Sequence, residues 1–290
     1  MFKGSIVAIV TPFSNGQVDY EKLRELVEFQ IAGGTDAIVP CGTTGESSTL
    51  DYDEHILVIK TVMEQVNKRV PVIAGTGSNA TAEAIELSQK AKESGVDGVL
   101  LVTPYYNKPT QEGLFLHYMA IANAVAIPQI LYNVPGRTGV NMLPETVARL
   151  SLHKNIVAIK EATGSLQQAS EILALCGDQI DVFSGDDFIT FPMMACGAKG
   201  VISVLANIMP KAVGDLTDAF FAGDLETARQ IHLKTLKISN AMFIESNPTP
   251  VKTALGLMGK CLDEVRLPLA PLSEANKAKL AAIMKEYGLI

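Results

Sequence analysis

The chain has 290 residues, 48% of them hydrophobic and 19% charged, and this composition provides a large core, which excludes intrinsic disorder. Its 24 Lys and Arg residues against 31 Asp and Glu residues give a net charge of −7 with no basic cluster, so neither nucleic acid nor an anionic membrane is expected as a partner. No uncharged apolar run approaches ~18 residues and the four cysteines form no C-x-x-C pair, which favours a soluble cytoplasmic protein with reduced thiols.

Short apolar segments alternate along the chain with longer segments of helical spacing. The eight strand-like segments are residues 5–11, 37–41, 71–75, 98–103, 129–134, 156–159, 180–184 and 200–204. Near-continuous Val, Ile and Leu strands are typical of a parallel sheet that is buried on both faces. Eight strand–helix units in about 205 residues therefore predict an α/β fold, the (β/α)8 TIM barrel.

The pattern changes after residue 207, where no further strand-like segment occurs. Four amphipathic segments follow, at residues 212–222, 225–243, 250–258 and 274–287. The triplet Ala222-Gly223-Asp224 is typical of a turn that ends a helix. We therefore predict a catalytic barrel over residues 1–223 and a C-terminal α-helical region over residues 224–290, packed directly on the barrel.

Working residues of such barrels lie at the C-terminal ends of the strands, and a lysine stands there in the sixth strand. The two-residue period of a strand predicts that Ile156, Ala158 and Lys160 share one face. A lysine acts as a nucleophile as the neutral amine, which burial favours. The alternative is a lysine that extends to solvent or pairs with Glu161.

The fifth strand ends in a second reactive side chain, Tyr132, and a phenol beside an amine is suited to proton transfer. Arg137 follows in a loop shaped by glycine and proline, and its planar guanidinium suits a carboxylate of an acidic substrate. Taken singly, a core tyrosine and a solvated arginine explain these two residues equally well.

Two further loops are candidates for the barrel mouth. The second strand runs into Gly42-Thr43-Thr44-Gly45, whose backbone N–H groups and hydroxyls suit a small anion, although the same composition occurs in ordinary turns. The fourth strand leads to Tyr105 and Tyr106, adjacent aromatic residues that would line a mouth or join subunits.

Other motifs are discounted. The segment 75–80 imitates a dinucleotide-binding fingerprint, but it belongs to the third strand–helix unit and does not open a Rossmann half. The four histidines have no metal-ligand spacing, so no metal is predicted. Cys41 has no histidine placed to activate it, so a small buried apolar role is favoured.

Four motifs stand in order along the chain: Gly42-Thr-Thr-Gly-Glu-Ser47, Pro104-Tyr-Tyr-Asn107, Tyr132-Asn-Val-Pro-Gly-Arg-Thr138 and Ile159-Lys-Glu-Ala-Thr163. Together they resemble the dihydrodipicolinate synthase family of the pyruvate-dependent class I aldolase superfamily. The resemblance extends from residues 4–12 to residues 266–269, nearly the whole chain. It implies condensation of pyruvate with aspartate semialdehyde for lysine biosynthesis, without a metal or an organic cofactor.

The resemblance also implies roles for individual residues. Lys160 matches the lysine that forms a Schiff base with pyruvate, and Tyr132 matches the tyrosine that relays protons at the imine. Thr43 matches the relay threonine, and Tyr106 matches the relay tyrosine that a neighbouring subunit supplies. The family's assembly implies a homotetramer, built as a dimer of dimers.

Further positions match the family's binding residues. Thr44, Ile202 and Gly185 match positions at the pyruvate subsite, and Arg137 matches the arginine that binds the carboxylate of the second substrate. Many family members are inhibited by lysine at a dimer interface, and six positions match that site: Ser47, Ser48, His55, Asn79, Glu83 and Tyr105. Tyr52 stands where inhibited bacterial members often have histidine, and Ser48 where alanine is common, so inhibition is left open.

Three alternatives remain. Sugar-acid aldolases of the same superfamily share the lysine and the tyrosine, but Arg137 and the pair Tyr105-Tyr106 favour the synthase family. A barrel that only binds a small carboxylate has no need of a buried amine. A nucleotide-dependent oxidoreductase would depend on the segment 75–80 alone.

Overall fold

The computed structural model describes residues 2–290. Its strands in chain order are β1 (Gly4–Ala8), β2 (Phe13–Ser14), β3 (Gln17–Val18), β4 (Ala37–Val39), β5 (Ile73–Gly75), β6 (Gly98–Val102), β7 (Gln129–Asn133), β8 (Ile156–Glu161), β9 (Asp181–Ser184) and β10 (Gly200–Ser203). All except β2 and β3 belong to one parallel sheet of order β4-β1-β10-β9-β8-β7-β6-β5. A parallel bridge between Ile38 and Val72 joins its two edges. The prediction of a (β/α)8 barrel is therefore confirmed.

The helices surround this sheet and continue beyond it. In chain order they are α1 (Tyr20–Ala32), α2 (Tyr52–Val66), α3 (Thr81–Glu93), α4 (Gln111–Ala124), α5 (Pro135–Thr138), α6 (Pro144–Leu150), α7 (Leu166–Cys176), α8 (Thr190–Cys196), α9 (Pro210–Phe221), α10 (Leu225–Ala241), α11 (Thr249–Leu257) and α12 (Glu274–Glu286). None of the helices within residues 2–290 combines the length and the apolar character that crossing a membrane requires.

Two short elements were not predicted from the sequence. The strands β2 and β3 form an antiparallel hairpin directly after β1, in which Phe13 pairs with Val18. The segment after β7, which the sequence suggests is a loop, contains the helical turn α5 with Pro135 in its first turn. Proline is compatible with this position because the first N–H groups of a helix have no partner inside the helix.

Two apolar layers result from the alternation of side chains along the strands. Ile6, Ile130 and Ile202 point into the barrel, where they belong to the inner cluster of buried residues. Val7 and Leu131, one position away from Ile6 and Ile130, belong to the outer cluster between strands and helices. Because both faces are covered, each barrel strand is nearly continuously apolar, as the sequence shows.

The strand β8 departs from this alternation. Its register with β7 advances from Gln129–Ile156 to Ile130–Ala158, so Val157 is an extra residue, as in a β-bulge. Ile156 therefore belongs to the outer cluster, whereas Ala158 belongs to the inner one. The prediction that Ile156 shares a face with Lys160 is wrong, because strict alternation fails at a bulge.

The C-terminal helices pack against one another and on the barrel. Helix α10 lies against α9 and α12, and α12 also packs against α11. Gly223, with φ 82°, separates α9 from α10, and the side chain of Asp224 caps α10. The division of the chain after residue 223 stays a prediction.

Candidate active site

Lys160 and Tyr132 are direct neighbours across the strands β8 and β7. The Lys160 Nζ atom lies 4.3 Å from the centroid of the Tyr132 ring. The side chains are buried at the mouth of the barrel, with 4% and 6% of their surface exposed. This arrangement brings a primary amine and a phenol together in a site that largely excludes bulk water, as proton transfer at a reacting amine requires.

The carboxylate next to Lys160 in sequence is engaged elsewhere. Glu161 accepts hydrogen bonds from Asn133 Nδ2 at 3.1 Å and from the Thr163 N–H at 2.8 Å. Burial raises the pKa of Glu161, and these hydrogen bonds oppose the shift. Lys160 forms no ion pair with any residue that the structure describes. The alternative of a Lys160–Glu161 pair is therefore wrong, and the amine is left for a ligand.

Two aspartates after β9 lie close enough to Lys160 for its charge to act on their carboxyl groups, and sequence analysis missed both. The Asp187 carboxylate accepts hydrogen bonds from Ser203 Oγ at 2.5 Å and from the N–H groups of Val204 and Leu205 at 3.0 Å each. It thereby ties the loop after β9 to the loop after β10. Burial raises the pKa of Asp186 to about 6, and the Lys160 charge opposes this shift. Their position at a strand end could have indicated them.

Gly185 follows β9 and Ile202 lies in β10, and both are closely packed. The Gly185 N–H donates to the Glu161 carbonyl at 2.8 Å, and a Cβ atom on this glycine would lie 2.5 Å from the Ala162 Cβ. No larger residue fits there without displacement of β8. Ile202 is buried in the inner cluster and pairs with Ile6 of β1. The structure thus places both residues at strand ends that border the mouth.

The loop after β4 packs tightly against its neighbours. Cys41 has a φ of 55°, and a Cβ atom on Gly75 would lie 2.1 Å from the Cys41 carbonyl oxygen. The glycine at position 75 is therefore explained by this close approach of two backbones, and a dinucleotide-binding fingerprint is not needed to explain it. Burial raises the pKa of the Cys41 thiol, which opposes a nucleophilic role. Thr44 is buried, and its Oγ1 accepts a hydrogen bond from Asn247 Nδ2 at 3.0 Å.

Arg137 lies on α5, where its Nη2 donates to the carbonyl oxygen of Asn247 at 3.0 Å. The neighbouring Thr138 is buried, and its hydroxyl donates to Val134 O at 3.2 Å and to Val140 O at 3.0 Å. These bonds fix the helical turn that carries the guanidinium. The side chain of Arg137 is otherwise exposed and directed to the cavity that it lines.

The structure contains a cavity of about 320 Å³, and neither Lys160 nor Tyr132 is among the residues that line it. Thr43, Arg137 and Thr138 line one side of it. On its other side it is lined by five of the six positions that match the lysine site, namely Ser47, Ser48, His55, Glu83 and Tyr105. The cavity therefore contains most of the candidate lysine site, together with Thr43 and Arg137 of the candidate catalytic site.

The remaining positions of the candidate lysine site are arranged as follows. Asn79 does not line the cavity, but its Nδ2 donates to the Tyr105 carbonyl at 3.1 Å. His55 Nε2 donates to the Gly75 carbonyl at 2.7 Å, and burial lowers the pKa of this histidine. Tyr52 lines the cavity, and burial together with a hydrogen bond to Glu86 raises its pKa to about 12.

Tyr106 does not reach the site of its own chain. Its side chain is 88% exposed, it is absent from the cavity lining, and its φ is 72°. Asn107 Nδ2 donates to the Asn79 carbonyl at 2.8 Å and stabilises the turn that presents Tyr106. An exposed tyrosine held outward on a fixed turn is suited to contact with another chain.

Sequence analysis included residues 247–252 in the family resemblance but gave no role to two of them that contact the loop after β4. Asn247 contacts both Thr44 and Arg137, as described above. Lys252 Nζ lies 2.6 Å from Glu46 Oε1, and the two side chains are only 0% and 1% exposed. No local signal identifies their partners, because these lie more than 100 positions away. Within residues 2–290, no group of three His, Cys, Asp or Glu side chains is arranged to hold a metal ion.

The chain is similar to known proteins over its whole length. Residues 1–287 match the sequence model of the Dihydrodipicolinate synthetase family. The chain is 89% identical over 290 residues to 4-hydroxy-tetrahydrodipicolinate synthase of Geobacter sulfurreducens, with 100% of both chains covered.

Two solved structures are also similar to the chain. The first is the chloride-inhibited dihydrodipicolinate synthase of Acinetobacter baumannii complexed with pyruvate, with a TM-score of 0.98, 50% identity and 100% of both chains covered. The second is a monomeric dihydrodipicolinate synthase variant, with a TM-score of 0.98, 44% identity and coverage of 100% of this chain and 98% of that one.

Proposed function

Because the chain belongs to the dihydrodipicolinate synthetase family, we propose that Lys160 is the amine on which its reaction takes place. The enzyme is a lyase of the class I aldolase type. It condenses pyruvate with L-aspartate 4-semialdehyde to give 4-hydroxy-tetrahydrodipicolinate, in diaminopimelate and lysine biosynthesis. The observation that supports the role of Lys160 is its burial beside Tyr132, with no carboxylate paired to its amine among the described residues.

The reaction follows from this amine. The Lys160 nitrogen attacks the keto carbon of pyruvate, and water leaves to form an imine. The imine withdraws electrons, so the pyruvate methyl loses a proton and becomes an enamine. The enamine carbon attacks the aldehyde of the second substrate, and the substrate's own amine then displaces Lys160 as the ring closes.

Proton transfer is assigned to three hydroxyl groups. Tyr132 lies against the Lys160 amine and donates and accepts protons at the imine. Thr43, which lines the cavity, is the second, and Tyr106 of a neighbouring subunit completes the chain of hydroxyls towards solvent. Pyruvate is held by Thr44 with the backbone near Ile202 and Gly185, and Arg137 binds the carboxylate of the semialdehyde with its planar fork.

The assembly and the regulation are part of the proposal. We expect a homotetramer built from two dimers, with the dimer as the smallest active unit, in the cytoplasm. The exposure of Tyr106 and the unpaired state of the cysteines in the described chain support this view. Weak to moderate inhibition by lysine is expected at the Glu83 side of the cavity, and unchanged activity in millimolar lysine would contradict it.

The decisive experiment is borohydride reduction in the presence of pyruvate, followed by peptide mass analysis. We expect reduced pyruvate on Lys160, turnover of aspartate semialdehyde by the wild type, and neither in the Lys160→Ala variant. Trapping without semialdehyde turnover would indicate a sugar-acid aldolase instead. Absence of any adduct would leave a barrel that only binds a carboxylate.

A further inference from the structure

One asparagine of the C-terminal region touches both substrate subsites. Asn247 Nδ2 donates to Thr44 Oγ1 at 3.0 Å, and the Asn247 carbonyl accepts from Arg137 Nη2 at 3.0 Å. Thr44 follows β4 and Arg137 follows β7, so the two are placed by separate parts of the barrel. Asn247, only 4% exposed, connects the residue assigned to pyruvate with the residue assigned to the second substrate.

The side chain of Asn247 is incompletely satisfied. Its Oδ1 atom is buried and has no hydrogen-bond partner in the described part of the chain. A buried acceptor without a partner destabilises a fold, and an apolar residue of similar volume would avoid that cost. The Asn247 side chain makes its hydrogen bond through the other polar atom, Nδ2, which donates to Thr44. Fold stability alone therefore does not explain an asparagine at this position.

The segment that carries Asn247 is anchored to the same loop as Thr44. Lys252, five residues further on, pairs with Glu46 at 2.6 Å, and both side chains are buried. The second oxygen of the Glu46 carboxylate accepts from the Arg266 N–H at 3.0 Å. Glu46 is two residues from Thr44, so the loop and the C-terminal segment are joined at two adjacent points. Such an anchor gives Asn247 the fixed position that it needs to orient its neighbours.

We propose that Asn247 is a positioning residue of the condensation reaction, a role that rests on the proposed function. Its side-chain amide orients the Thr44 hydroxyl for pyruvate, and its carbonyl oxygen orients the Arg137 guanidinium for the second substrate. It touches neither substrate. The two contacts differ in kind, because a substitution of Asn247 removes the first and leaves the second, which belongs to the backbone.

The test is Asn247→Leu, which keeps the number and branching of the side-chain heavy atoms and removes both polar atoms. We expect a folded variant and a rise in KM for pyruvate of about five- to tenfold, as for one lost hydrogen bond. KM for the semialdehyde should change less than about twofold, since the carbonyl contact persists. The pyruvate concentration that half-saturates borohydride trapping on Lys160 should rise in parallel with KM.

Two results would overturn the proposal: wild-type KM values at any Tm, or an equal rise in both KM values. The first would mean a purely structural asparagine, and the second general damage to the site. If the leucine variant does not fold, Asn247→Ala removes the same amide without a clash and has to show the same difference between the two KM values.

Two controls sharpen the result. In a Thr44→Val background, Asn247→Leu should change KM for pyruvate less than about twofold further, because the bond is already lost. Additive effects would contradict the proposal. Asn155→Leu removes a matched bond, Asn155 Nδ2 to Ala122 O at 2.9 Å, at the opposite end of the barrel, and should leave both KM values unchanged.

A wild-type enzyme without semialdehyde turnover would refute the proposed function before any variant is compared.

Discussion

In the pair Lys160 and Tyr132, different atoms of one side chain have different roles. The Lys160 amine lies over the ring of Tyr132, so the tyrosine contributes a face for packing and a hydroxyl for proton transfer. These two contributions are separable, because phenylalanine has the same ring without the hydroxyl. The two contacts of Asn247 are separable too, because its side-chain amide donates to Thr44 whereas its backbone carbonyl accepts from Arg137.

The first prediction separates the ring of Tyr132 from its hydroxyl. In Tyr132→Phe the apolar packing is kept and the proton relay is lost, so we expect kcat to fall about 10²- to 10⁴-fold with little change in Tm. Steady-state kinetics and thermal unfolding measure the two effects. Borohydride should still trap pyruvate on Lys160, only more slowly, and a kcat within a factor of three of wild type would contradict the relay.

The second prediction concerns Asp186, whose pKa burial raises from 3.8 to about 6. Between these values the folded state holds a proton that the unfolded state has lost. The free energy of unfolding contributed by Asp186 therefore falls as the pH rises from about 4 to about 6, and is constant above that range. In Asp186→Asn this dependence is absent.

Urea unfolding of the wild type and of Asp186→Asn between pH 4 and pH 7 tests this sign. We expect the variant to gain stability relative to the wild type as the pH rises through the window. Parallel curves for the two proteins, or a relative gain towards low pH, would show that the Asp186 carboxyl is not shifted upwards.

At the scale of elements, β8 illustrates where periodic reasoning holds and where it fails. Lys160 faces the barrel mouth as alternation from Ala158 predicts, but the extra residue Val157 moves Ile156 to the helix layer. A bulge is a property of the pairing between two strands, and the sequence of one strand does not contain it. The short helix α5 was likewise not predicted from the sequence. Hydrogen bonds of Thr138 to Val134 and Val140 stabilise its turn.

The third prediction concerns the buried ion pair between helix α11 and the loop after β4. Lys252 and Glu46 are almost fully buried, and burial lowers the pKa of Lys252. Lys252→Met leaves the Glu46 carboxylate buried and unpaired, so we expect a loss of about 3–5 kcal/mol in the free energy of unfolding. Adding Glu46→Gln removes the uncompensated charge and should recover more than half of that loss.

A surface pair on α9 provides the control for this series. Lys211 lies 2.7 Å from Asp215, but the side chains are 80% and 47% exposed. Lys211→Met should therefore change the free energy of unfolding by less than about 1 kcal/mol. Chemical denaturation of the wild type, Lys252→Met, its double variant with Glu46→Gln, and Lys211→Met measures these free energies. Equal losses of stability in Lys252→Met and Lys211→Met would contradict the argument.

At the scale of the whole molecule, the position of Tyr106 bears on how the chains assemble. Tyr106 is 88% exposed and lies outside the cavity of its own subunit, although it matches a catalytic tyrosine. A solved relative is nevertheless a monomeric variant. Whether this chain shares its site between subunits is therefore a question about its assembly, and subunit mixing answers it directly.

The fourth prediction is complementation between two inactive variants. Lys160→Ala and Tyr106→Ala subunits with different tags are co-expressed, and the mixed dimers are purified. Each mixed dimer contains one site with an intact lysine and an intact tyrosine from the partner, so we expect about half of the wild-type activity. If Tyr106 acts within its own chain, the mixed dimers will be as inactive as their parents.

The sequence alone determined the eight barrel strands and the positions of Lys160 and Tyr132 at the ends of two of them. Both follow from local chemistry, since strand periodicity and apolar burial are expressed over a few neighbouring residues. The family motifs were also contiguous, so their recognition needed no tertiary information.

Only the tertiary structure decided which distant residues complete the site. Asn247 meets Thr44 across 203 positions and Lys252 meets Glu46 across 206, and nothing in their local sequence specifies either partner. The closure of the barrel and the docking of α11 bring them together. Such contacts depend on the packing of whole elements, which is cooperative and long-range, whereas sequence patterns report only which face of an element is buried.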